Sequence, residues 1–170
     1  MTTQQIVTPR IYVACLAAYN NGRLHGEWLD LEDIDTLQDG INSMLKASPC
    51  KDAEEWEIHD IEGLPSCADG FGLEKLVELA EFIKEHGELG QALLDHTCGD
   101  LEYAVRLMEN HHGEFKDEGD FAYSLVQDCY DLKSMGHLAN YIDYDQYARD
   151  LFMEGYISID LNGDCHVFSE

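Results

Sequence analysis

An α+β fold, drawn out as an elongated chain of three small domains, is predicted by three observations. Residues 8–62 alternate between short apolar runs and turn chemistry, and the chain changes to a helical period beyond Gly63-Leu64-Pro65. It then returns to β at its end, where Asn162-Gly163 is the strongest short-range hairpin signal present.

The elements follow in order. The apolar run 10–19 reads as a strand, and Asn20-Asn21-Gly22 turns it into a hairpin whose return strand is 24–29. Asp30 is placed to cap a helix whose Ile34, Leu37, Ile41, Met44 and Leu45 share a face and which stops near Ser48-Pro49. In 55–60 the alternation sends Trp56 and Ile58 to one side and Glu55, Glu57 and His59 to the other, a third strand. Residues 1–63 therefore form a ββαβ domain. Leu73, Leu76, Val77, Ala80 and Ile83 mark a helix ending near Gly87. Shorter amphipathic pieces at 89–94 and 101–108, the latter opened by Asp100, complete a helical domain over 64–112. Residues 113–170 read as a mixed domain with helices at 121–132 and 144–153 and the hairpin 156–168. Units of about 50 residues are marginal alone, so they are expected to lean on one another or on a second chain.

Charge excludes more than pattern does. The 170 residues carry 35 Asp and Glu against 10 Lys and Arg, a formal charge of −25, yet 45% are hydrophobic, so the chain can bury a core. Ten dispersed basic residues cannot neutralise phosphates, which excludes direct nucleic-acid binding, and the same sign disfavours an anionic membrane. Met1 to Ile6 has neither the basic start nor the apolar stretch of a signal peptide, which points to the cytoplasm. The six cysteines show no Cys-x-x-Cys pair and read as reduced thiols.

Motifs for chemistry are missing. There is no phosphate loop, nucleophile elbow, dinucleotide fingerprint or His-Glu-x-x-His; His111-His112 reads as a solvated loop pair, and the tail from Asp160 reads as a hairpin and not a calcium loop. No catalytic residue, cofactor or metal is expected. Carboxylate pairs at glycosidase spacing arise by chance among 35 acids, so proximity identifies none.

The acids themselves are the candidate site. Glu32, Asp33, Asp35 and Asp39 flank the first helix; Glu54, Glu55 and Glu57 surround the third strand; Asp117, Glu118 and Asp120 precede a later helix. Glu74, Glu78, Glu81, Glu85 and Glu88 step by four and three, which places them in one stripe on one helix face. Like charges so spaced repel by a few tenths of a kcal/mol per pair, and solubility needs only about 2 to 8 net charges. At one charge per roughly 1.7 Å, a net charge of 25 matches about 43 Å of duplex DNA, and a dimer about 85 Å. DNA mimicry, a general acidic adaptor and an enzyme all remain open on these grounds.

Four stretches narrow the choice. The run from Pro9 to Asn20, Gly22 to Trp28, Glu55 to Gly63, and Gly113-Glu114-Phe115 leading to Asp120-Phe121-Ala122 resemble the ArdA-type antirestriction proteins over the full length. Members of that family are carried by plasmids, conjugative transposons and phages, and mimic DNA to inhibit Type I restriction-modification enzymes. The resemblance implies a curved homodimer of three-domain chains, no enzymatic activity, and a methyltransferase core as partner. It also implies that the segment containing Gly113, Glu114, Phe115, Asp120, Phe121, Ala122, Leu125 and Asp128 is an antirestriction motif near the dimer contact. Ile61 departs from the pattern, where an aromatic residue is expected. An adaptor for another basic DNA-binding protein is the alternative.

Overall fold

The computed structural model describes residues 8–170, so the leader reading at Met1 to Ile6 lies outside the described residues. The protein is mixed α+β with two small antiparallel sheets, and it divides into two compact units, one ending at Leu101 and the other Glu102–Glu170.

In the first unit β1 (Arg10–Cys15) is central, with β2 (Gly26–Asp30) and β3 (Trp56–Glu62) antiparallel on either side. The apolar run 10–19 is not one strand. It divides into β1 and a short helix, α1 (Leu16–Asn20), because pairing ends where the Leu16 amide donates to the Glu55 carbonyl at 3.0 Å. Beyond that point Ala17 and Ala18 favour a helical turn, closed by the Asn21 side chain donating to the Ala17 carbonyl at 2.7 Å. The return strand starts at Gly26, where any Cβ would run into the Val13 carbonyl and the Tyr12 ring.

α2 (Ile34–Lys46) is capped by Asp33, not by Asp30, which ends β2 opposite Arg10. Asp33 has the extended backbone a cap needs, and its carboxylate accepts from the Thr36 amide at 2.8 Å and the Thr36 hydroxyl at 2.7 Å. The helix buries Leu37, Ile41 and Met44, while β1 buries Ile11, Val13 and Cys15. In β3 a bulge leaves His59 unpaired between Ile58, opposite Val13, and Asp60, opposite Tyr12.

After a 3₁₀ turn at Ser66–Ala68, α3 runs Leu73–His96 with a break at Gly87, whose φ of 63° and ψ of −143° suit only glycine. The helix expected to end there resumes, and the 89–94 segment is its second half.

The second unit orders its sheet β4-β6-β5, with β4 (His111–Phe115), β5 (Tyr156–Leu161) and β6 (Asp164–Ser169). α4 (Leu101–Glu109) leads into it; α5 (Glu118–Cys129), α6 (Leu132–Met135), a 3₁₀ segment Gly136–Tyr141 and α7 (Tyr144–Met153) fill the connection. Phe121, Ala122, Ala148, Leu151, Cys165 and Val167 form its core. The hairpin turn forms at Asn162 and Gly163, both with positive φ, as the sequence predicts. His111 and His112 lie in strand β4, not in a solvated loop: β4 has no β-branched residue and pairs with a strand some fifty positions later. α5 begins three residues earlier than expected because Asp117 caps it, and it ends at Cys129 where Tyr130 is extended.

Candidate functional site

The acids are all outside. None of the 35 Asp and Glu residues is buried, and only Glu62, Glu88 and Glu118 are as much as half-buried. The single buried polar residue described is His166. Charge cannot enter a core without a partner, so an excess of this size has to sit on the surface.

In the first unit the helix and strand periods distribute these charges. Turning Leu37, Ile41 and Met44 inward on α2 leaves Asp35 and Asp39, one turn apart, exposed, with Glu32 and Asp33 at the helix start. Asp33 is held below the ordinary carboxylate range by the amide and hydroxyl of Thr36, so it stays ionised. Glu54 and Glu55 are exposed before β3 and Glu57 is exposed upon it, where His59 approaches it at 4.0 Å.

On α3 the inward set Leu76, Val77, Leu79, Ala80, Phe82 and Ile83 turns Glu74, Glu78, Glu81 and Glu85 to the surface. At 1.5 Å rise per residue these four carboxylates span about 16 Å, one for every 4.5 to 6 Å of axis. Lys75 pairs with Glu78 at 3.6 Å and offsets part of the row. The five-residue stripe is corrected to four: Glu88 follows the non-helical Gly87, so the 3-and-4 spacing no longer places it on the same face, and it is half-buried.

In the second unit the expected acids have local duties. Asp117 caps α5 by accepting from the Asp120 amide at 2.8 Å, and Asp120 accepts from the Lys116 amide, just before the cap, at 3.2 Å. Glu118 accepts from the Ser158 hydroxyl at 2.7 Å and ties α5 to β5. Asp117→Ala is therefore expected to lower the stability of this unit by about 1 kcal/mol, whereas Asp117→Asn, an equally good cap, holds it. Thermal melts of the two variants check this, and equal losses would show that charge and not capping is at stake.

The segment 113–128 separates into two sets. Phe121 and Ala122 are buried, Phe115 meets Phe121 edge-on at 5.1 Å, and Leu125 packs against the same core. Glu114, Asp120 and Asp128 are exposed, and Gly113 occupies a φ of 115° beside a bulge in β4. Sequence reasoning missed a further feature, an apolar groove of about 240 Å³ lined by Val126, Tyr130, Leu132, Met135, Ile142 and Tyr147. Exposed Leu138 and Tyr141 lie in the chain between its Met135 and Ile142. Its signal lay in the aromatic and aliphatic residues of 130–142, which fit neither helix nor strand period.

No group of three or more His, Cys, Asp or Glu that could hold a metal occurs among the described residues. An acid-lined cavity of about 570 Å³ places Cys165 beside Asp117, Glu118 and Asp160. Burial, then those carboxylates, push its thiol up to about 11, so it stays protonated and non-nucleophilic at neutral pH. All six cysteines are free, and no described helix is long and apolar enough to cross a membrane.

No curated protein matches the chain. Its residues 11–163, running from β1 through β5 and including the whole acidic row of α3, match the antirestriction protein (ArdA) family, and the chain belongs to that family.

Proposed function

We propose that the protein is a stoichiometric, non-enzymatic inhibitor of Type I restriction-modification enzymes, acting in the cytoplasm as a DNA mimic. The observation carrying this reading is that a family member with net charge −25 exposes or half-exposes every carboxylate, on both units. Carboxylates then stand where the enzyme's methyltransferase core expects phosphates. Affinity comes from many weak ion pairs, and the field steers encounter.

A homodimer is part of the proposal. The apolar groove and the exposed Tyr130, Met135, Leu138 and Tyr141 are the kind of surface a monomer rarely leaves open, and they follow directly on the 113–128 segment. The same reading keeps three small domains, 1–63, 64–112 and 113–170, in extended series, since a compact body would not spread its charge along a duplex length.

Displacement of labelled duplex from a Type I methyltransferase core tests the function. Near-stoichiometric displacement that weakens as salt rises is expected. Absence of displacement at large excess, together with binding to some other basic protein, would replace mimicry by the adaptor reading. Small-angle scattering of the same samples reports mass and shape. A monomer mass, or a radius of gyration near the roughly 15 Å of a compact chain of this length, would remove the dimer or the extended series respectively.

A further inference from the structure

β6 sends Cys165 and Val167 into the core beneath α5 and α7, so alternation turns His166 and Phe168 to the other face. There His166 is 6% exposed. His111 of β4 stacks on Phe168 at 4.7 Å and on His166 at 5.4 Å, and His166 Nδ1 lies 3.3 Å from His111 Nε2. Two ring nitrogens at that distance hold one hydrogen between them. The Gly113 backbone favours the protonated form of the His111 ring.

We propose that His111 and His166 form a proton-operated latch between β4 and β6. Neutral, or sharing one added proton, the pair holds the strands together; with both rings charged, two N–H groups and two cations confront one another and β4 is released. The surroundings set the limit. From β4, Glu114 faces His166 in register and favours one positive charge, while the neighbouring His112 opposes another. From β5 the register partner is the uncharged Ile159, with Asp160 next to it. α5 packs on the opposite face, where Asp117 and Glu118 lie near Cys165.

Burial, then the nearby His166, hold the His111 ring below its ordinary value. The unfolded chain therefore takes up that proton first. The contribution to stability is level above about pH 6.5 and is lost as pH falls from there through the folded midpoint. Acidification therefore slackens the strand bearing Gly113, Glu114 and Phe115.

The test uses the full chain. Histidine ring resonances are followed by NMR from pH 8 to 5, and amide protection is compared at pH 7.5 and 5.5. The expected result is a His111 ring titrating below 6.5, with protection across residues 111–115 and 165–168 falling about tenfold per unit of that displacement while α2 is unaffected. His111→Phe, which keeps a ring against Phe168 and cannot ionise, is expected to abolish the pH dependence. His137→Gln, in the exposed 3₁₀ segment, is expected to retain it. A His111 ring titrating at the ordinary value with unchanged protection, or wild-type pH dependence in His111→Phe, overturns the latch. Should His111→Phe not fold, the ring titration of the unaltered protein decides.

Discussion

Changing Glu74, Glu78, Glu81 and Glu85 together to Gln is expected to leave the fold intact, hold or raise the melting temperature, and weaken DNA displacement about tenfold or more at low salt. All four side chains are exposed and Gln has nearly the helix propensity of Glu, so nothing in the core is disturbed. Removing like charges one turn apart relieves a few tenths of a kcal/mol per pair. On the mimic reading binding is expected to move the other way, because four of the charges proposed to steer and hold a basic groove are gone. Any one of the four changes alone is expected to fall within about 0.5 kcal/mol of wild type. The decisive comparison is the salt series: the quadruple variant should lose most at low salt and approach the wild type as salt rises. Equal displacement by the two proteins at every salt would take this row out of the binding surface.

Phe121→Ala is expected to have the largest effect on stability, about 3 to 5 kcal/mol, a large part of the 5 to 15 kcal/mol by which domains are stable. Phe121 is 2% exposed and lies 5.1 Å from Phe115, 5.1 Å from Tyr156 and 6.0 Å from Phe152, so truncation empties the centre of the second unit's core. Amide protection in β5 and β6, with a denaturant midpoint, measures the loss. Phe121→Leu is expected to be milder, since much of the volume remains. Antirestriction lost with Phe121→Ala but kept with Phe121→Leu assigns this position to the scaffold of the 113–128 segment. Activity lost in a Phe121→Leu variant of near-native stability would instead make the ring part of the contact.

Much of the fold was legible because its signals are local. The Asn162-Gly163 hairpin, α7 and the inward face of α2 were read at or near their observed positions, each from a period or turn chemistry contained in a short window. What failed depends on distant partners. The run 10–19 could be strand or helix on apolarity alone, and the Glu55 carbonyl decides where the strand stops. His111 and His112 looked like a loop because β4 is recognisable only beside β6. In the candidate site, the exposure of the acids was readable from their number, since so much charge has nowhere else to go. The removal of Glu88 from the row was not, because a helix resuming after a glycine looks, in sequence, like one that continues. Nor was the structural duty of Asp117, Asp120 and Glu118, which rests on capping and on a serine forty positions away.

That no carboxylate is buried bears on how such an inhibitor can diversify. An acid that holds a core together is tied to its position, but one that contributes only to a summed field can be lost at one exposed site and regained at another without an intermediate that fails to fold or to bind. On the mimic reading, descendants of this chain can wander far in sequence while remaining interchangeable to their target. A host enzyme that alters a single groove residue therefore gains little escape, because no one contact was decisive.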